Sequence, residues 1–308
     1  MILARILHLV LLLVLPPLLI GLIQRTKAWV AGRKGPPLLQ LYWDLLKLLR
    51  KGAVYSVTTT WVFRAGPVVN LAALLAAGTL VPVLGLEGPL AFQGDVILFA
   101  AFLALARFAT VLAALDTGSS FEGMGAAREA TFGGLSEPVL FACLLVLAVG
   151  SKSLCLSEIL GPGLLGLWVR LGPALLLVGV SFGVLLLAEN CRIPVDDPAT
   201  HLELTMIHEV MVLDHGGPDL AFILHGAALK LFLFAAALVR VLIPVATGVW
   251  LLDALVAAAG MALIAILIGL VESWIARLRM PRVPTFLGGA LVLATIAVAV
   301  LLSTGGER

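Results

Sequence analysis

An all-α integral membrane protein of eight transmembrane helices, with a large first loop, is the fold this sequence predicts. Three observations carry the prediction. Of 308 residues, 61% are apolar and 12% are charged, with a mean hydropathy of +1.14; soluble domains hold about 45–50% apolar and about 25% charged residues. The apolar residues fall in eight unbroken runs, each near the roughly 20 residues that cross a hydrocarbon core. The runs also lack the strict alternation of a barrel strand. Disorder is excluded, because it needs low hydrophobicity and high net charge. A net charge of +2 gives no reason to expect a nucleic-acid partner. A single membrane domain, 1–308, follows.

Taken in order, the spans are 2–23, 66–86, 96–115, 138–156, 165–188, 220–246, 249–271 and 286–302. The first has Arg5 ahead of its apolar run, as a signal peptide would. It is longer than a signal core, and Gln24-Arg25-Thr26-Lys27 stands where a small-residue cleavage site belongs, so it reads as a span. The fourth has Lys152 near its outer edge. With alternating spans, thirteen Lys and Arg residues fall on one side (Arg25, Lys27, Arg33, Lys34, Lys47, Arg50, Lys51, Arg64, Arg128, Arg192, Arg277, Arg279 and Arg282). Four fall on the other: Arg5, Lys152, Arg170 and Arg308. The positive-inside rule then puts loops 24–65, 116–137, 189–219 and 272–285 in the cytoplasm and both termini outside.

In so apolar a chain the polar exceptions carry the information, since an ionisable group in a span is costly and marks an ion path or a paired charge. Arg107, Lys230, Arg240, Asp253 and Glu272 lie within or at the ends of apolar runs; Glu137 opens span four and Glu189 closes span five. The densest polar stretch runs from Glu189 through Asp196 and Pro198 to His201, Glu203, His208, Glu209 and His215. Thr200 with Glu203 forms a capping-box pattern, and the helix it would start puts His201, Thr205 and His208 on one stripe. Two readings stay open: a solvated acidic loop, or carboxylates and imidazoles passing protons at the membrane edge. His208-Glu209 is not a zinc motif, because position 212 is Val. Cys143, Cys155 and Cys191 are too scattered to frame a metal or cluster site.

In the first loop, Leu38 to Leu49 has helical apolar spacing, with Gln40, Asp44 and Lys47 on another face. It reads as an interfacial amphipathic helix, as a docking surface, or as both. A third stretch, Asp116-Thr-Gly-Ser-Ser-Phe-Glu122 followed by Gly125-Ala-Ala-Arg128-Glu129, reads by itself as a flexible Gly/Ser connector.

Together and in this order these stretches resemble one family. Gly32-Arg-Lys-Gly-Pro with Gln40, Tyr42, Asp44 and Lys47 is similar to the first cytoplasmic loop of the NuoH-type membrane subunit (complex I subunit 1), in the HycD/HyfC/EchB branch of membrane-bound nickel–iron hydrogenases and formate hydrogenlyase. Leu115-Asp-Thr-Gly-Ser-Ser-Phe, Gly125-Ala-Ala-Arg128-Glu129 and Glu137-Pro138 resemble that branch too. So do Glu189, Arg192, Pro194, Asp196, Pro198 and Glu203-Leu204, and Glu272-Ser-Trp-Ile-Ala-Arg277-Leu-Arg279. The resemblance covers nearly the whole chain. Complex I has glutamates near positions 199 and 201, where this chain has Ala199 and His201, a thinning of the quinone-entry region that favours the hydrogenase branch.

The resemblance implies a non-catalytic subunit of an oxidoreductase complex in the cell inner membrane. Such a subunit docks a soluble electron-transfer arm and links its redox chemistry to proton or ion transport. Glu137, Glu189, Asp196, Glu203, Glu209, Lys230 and Glu272 would form the proton path. Arg33, Gln40, Asp44, Lys47, Asp116, Arg128 and Arg192 would face the arm. The expected partners are hydrogenase-like large and small Fe–S subunits, antiporter-like membrane subunits and the lipid bilayer. No cofactor is expected on this chain; Fe–S clusters, and a nickel–iron site in hydrogenases, belong to the partners. The alternatives are the quinone-site subunit of an NADH–quinone oxidoreductase and a stand-alone ion transporter.

Overall fold

A computed structural model of the chain describes residues 2–196 and 206–305, with backbone only at 304–305. Among the described residues, eight helical spans are long and apolar enough to cross a membrane. The first span is built from α1 (Ile2–Val14) and α2 (Pro16–Val30). They break at Leu15 because Pro16 and Pro17 have no N–H to continue the ladder. The hydroxyl of Tyr42, on α3 (Gln40–Leu49), donates to the Val14 carbonyl at this break. The amphipathic spacing of 38–49 is therefore realised as a short helix that props the first span.

α4 (Trp61–Gly78) starts at Thr60, whose hydroxyl accepts from the Val62 N–H. The apolar run 66–86 does not continue as helix: beyond Gly78 it turns through Pro82, Gly85 and Gly88, with an isolated bridge between Val83 and Leu86. α5 (Asp95–Asp116) packs closely on α4 at Gly66, where a Cβ would lie 2.6 Å from the Ala113 methyl.

α6 (Ser120–Ser151) corrects the sequence reading most. Residues 120–137 are not a connector but the first half of a 32-residue helix. That half carries charge, so it does not look like a span, yet Glu122, Gly125 and Ala126 are buried against the rest of the protein. Lys152, in a left-handed conformation, ends the helix.

After α7 (Leu156–Ile159) come α8 (Leu164–Glu189), α9 (His208–Met211) and α10 (Gly217–Leu242). α10 stops at Leu242, ahead of Pro244, rather than at 246. α11 (Trp250–Trp274) reaches past 271 to include Glu272, and α12 (Val283–Gly305) follows a 3-10 turn at Met280–Arg282. α10, buried over most of its length, is the axis. Around it stand α4 with α5, α2 with α11, and α8, which with α6 supports α12. The segments 31–60, 117–119, 190–196, 206–216 and 275–282 share one end of the bundle, the charged end. Segments 79–94, 152–163 and 243–249 share the opposite end.

Candidate functional site

The buried charges of this bundle gather around the ends of α8 and α11 and the middle of α5. Arg107, three turns from the end of α5, projects between α6 and α8. Its Nη1 donates to Glu137 Oε1 at 2.9 Å, its Nη2 donates to Glu189 Oε1, and its Nε lies 3.6 Å from Glu129 Oε1. The other Glu189 oxygen is 2.6 Å from Nζ of Lys230 on α10, and Ser136 on α6 also donates to Glu189. The Arg107 and Glu189 side chains are 10% and 5% exposed. Charges so buried persist only when paired. Arg suits the hub because its planar fork serves several carboxylates at once and stays charged.

A second set of pairs lies at the charged end. Glu272, at the end of α11, is fully enclosed. It holds Lys27 of α2 at 2.8 Å and Nη1 of Arg192 at 3.3 Å. Asp196 holds Arg277 at 2.7 Å and accepts from the Ile207 and His208 N–H groups.

Two cavities join these sets. One, of about 70 Å³, is lined by Arg107, Glu129, Glu189, Lys230, Asn70 and Thr110. The other, of about 240 Å³, is lined by Asp196, Glu209, Gln24 and the apolar Ile20, Leu41 and Leu224. Asn190, Cys191, Arg192 and His208 line both. A polar cavity needs roughly 10–15 Å³ on this measure to hold one water, so each has room for several. The shared wall is the turn after α8, where Cys191 takes a left-handed conformation (φ 50°). Burial pushes its thiol well above the usual range, leaving it neutral. The arrangement places carboxylates, cations and an imidazole around two neighbouring cavities that share this wall.

Of the residues assigned to a path from sequence, the structure brings Glu137, Glu189 and Lys230 into one cluster. It sets Asp196, Glu209 and Glu272 around its approach. Glu203, His201 and the Thr200 capping box lie outside the described residues. The hub, Arg107, is expected from the sequence as an in-span charge that acts on the carboxylates or relays charge beside Lys230, but not as the centre of the cluster. Glu129, Ser136 and Lys27 were not assigned; the cost of burying a charge marks Glu129 and Lys27, and no sequence signal marks the neutral Ser136.

Among the docking candidates, Arg33 and Lys47 are exposed. Gln40 donates to Asp44 at 3.0 Å along α3. Arg128 donates to the Met206 carbonyl at 2.7 Å, and Arg192 turns inward to Glu272. Asp116 accepts from the N–H groups of Thr60 (2.7 Å) and Phe63 (3.1 Å), capping α4. Among the described residues no group of three His, Cys, Asp or Glu side chains is placed to hold a metal ion.

The comparisons agree with this architecture. The chain is 31% identical over 294 residues to formate hydrogenlyase subunit 4 of Escherichia coli (strain K12), covering 93% of this chain and 94% of that protein. It is 34% identical over 235 residues to hydrogenase-4 component C of the same organism, covering 76% of this chain and 73% of that one. Its fold matches a chain of the membrane-bound sulfane sulfur reductase, an archaeal respiratory membrane complex. That match has a TM-score of 0.81 and 21% identity, over 97% of this chain and 99% of the other. A family profile described as NADH dehydrogenase matches residues 3–304, and the chain belongs to that family.

Proposed function

We propose that this chain is the membrane subunit of a hydrogenase- or formate hydrogenlyase-type respiratory complex. It docks a soluble Fe–S arm at its charged end and couples the arm's redox chemistry to proton movement. The single observation behind the reading is the charged network of Arg107, Glu189, Lys230 and Glu137, beside two cavities lined in part by charged and polar side chains. A mere anchor has no use for the enclosed charges of Arg107, Glu189 and Lys230 in an apolar bundle. The identity to formate hydrogenlyase subunit 4 over 93% of the chain supports the class of complex. In this reading the basic end faces the cytoplasm and both termini face outward. Arg33, Lys47 and the α3 face meet the arm, while Fe–S clusters and any nickel–iron site stay with partner subunits. A charge change on the arm's nearest cluster biases the paired carboxylates, each unit of pKa shift being worth about 1.4 kcal/mol.

Replacing Glu189 by Gln tests the coupling. In membrane vesicles holding the whole complex, E189Q should lose proton translocation linked to turnover while electron transfer to a soluble acceptor continues. Parental translocation by E189Q rejects the proposal. One observation favours a second reading, a quinone-reducing complex: the larger cavity carries the apolar Ile20, Leu41, Leu220, Ile223 and Leu224 on one wall. Quinone reduction without H₂ evolution by the purified complex would decide for it.

A further inference from the structure

Arg107 also stands at the edge of a third space. On the far side of its guanidinium, a cavity of about 170 Å³ between α5 and α6 is lined by Glu137, Glu189, Leu140 and Phe141 and runs along α5 to Ile97. Ile97 is ten residues from Arg107 toward the opposite end of the bundle, about 15 Å of helix, or half the hydrocarbon thickness of about 30 Å. This space and the cavity of about 70 Å³ meet at one guanidinium, since Arg107 and Glu189 line both.

Three carboxylates hold the permanent cation of Arg107 across the gap, so an ion crossing between the cavities must displace a paired charge. What gives the guanidinium room is Gly133 on α6. A Cβ at this position would lie 2.8 Å from Arg107 Cζ and 2.9 Å from its Cδ, so a methyl group there requires the guanidinium to shift from its seat. The neighbouring Gly134 has open space where its Cβ would be. The adjacent glycines are thus unequal, and only the first is required by a side chain.

We infer that Gly133 is a positioning residue that seats Arg107 as an ionic seal between the two cavity systems, so that the chain blocks passive ion flow. The inference rests on the charged network being a proton route, but it concerns permeability in the absence of turnover. Alanine is the better helix former, so G133A acts by displacing Arg107 rather than by weakening α6.

The test uses everted membrane vesicles carrying the complete complex, with no electron donor. A pH gradient is imposed by dilution and its decay followed with a fluorescent amine, each rate being scaled to the amount of chain on an immunoblot. G133A and R107Q should collapse the gradient several-fold faster than parent, and G134A at the parental rate. Parental decay in G133A overturns the inference. If that chain does not accumulate, parental decay in R107Q overturns it instead, and fast decay in G134A removes the distinction between the glycines. Turnover-linked pumping by E189Q is a separate readout, so the seal and the coupling proposal fail independently.

Discussion

Glu272 is fully enclosed, and two cations reach it from different elements, Lys27 on α2 and Arg192 after α8. Removing one partner of a buried pair strands the remaining charge and typically costs about 3–5 kcal/mol. E272Q strands two cations, so it should lower the thermal inactivation temperature of the detergent-solubilised complex more than any single cation removal. K27M should cost less, because Arg192 still meets the carboxylate; equal losses would refute that sharing. His215 gives a pH dependence. Its ring stacks on Phe63 at 3.9 Å, and burial holds it below the usual 6.5, while the carboxylates of Asp219 and Asp214 pull the other way. Because the folded ring disfavours its proton, the unfolded state binds more protons, and stability rises with pH. The anchoring is complete above about pH 6.5 and is lost as pH falls from there toward the folded value. Amide exchange in 206–216, corrected for its intrinsic rate, should quicken at pH 5.5 relative to pH 7.5. H215F, which keeps the stack, should abolish that difference. Sequence exposed Glu189, Lys230 and Glu272 because a charge in an apolar run is anomalous. It did not expose their pairing, since Arg107 meets Glu137 and Glu189 across 30 and 82 residues.

Helices are where hydropathy and conformation part company. An apolar run reports avoidance of water, so 66–86 looks like one span although its last part turns at Pro82 and Gly85. The reverse holds for α6, whose charged first half faces protein and escapes an apolarity scan. Periodicity did reveal α3, because a one-sided helix writes its 3.6-residue period into the sequence. Close packing is tested at Gly66, where α4 meets Ala109 and Ala113 of α5. G66A should destabilise the complex by about 1–3 kcal/mol, as overpacking does. G123A, with open space at its Cβ, should be neutral or stabilising by up to about 1 kcal/mol. A loss in G123A matching that in G66A would show that the α4–α5 approach is not the cause. The α4 cap is tested by D116A, which leaves the Thr60 and Phe63 N–H groups without their carboxylate. It should cost about 1–2 kcal/mol, the usual price of a lost cap. If D116A instead releases the soluble arm at unchanged stability, Asp116 belongs to the docking face.

At the scale of the whole molecule, the asymmetry of positive charge is the basis for the proposed orientation in the bilayer. Eight Lys and Arg residues lie in segments 31–60 and 275–282 at the charged end, against Lys152 alone in segments 79–94, 152–163 and 243–249 at the other. Moving such loops across a membrane opposes the positive-inside bias. The protein permits a clean measurement, because its three cysteines are all buried. Burial also pushes the thiols of Cys155 and Cys191 above their usual range, so they react slowly with maleimides. Val57, in the first loop, and Ala246, in the loop between α10 and α11, are both exposed and lie at opposite ends. In intact cells a membrane-impermeant maleimide should label A246C and spare V57C. Detergent, which opens the membrane and releases peripheral subunits, should make V57C reactive as well. The reverse pattern would invert the protein in the bilayer. It would place the larger cavity, with Glu209 and Asp196, on the side away from any cytoplasmic electron donor, and so remove the basis for docking and for proton entry from the cytoplasm together.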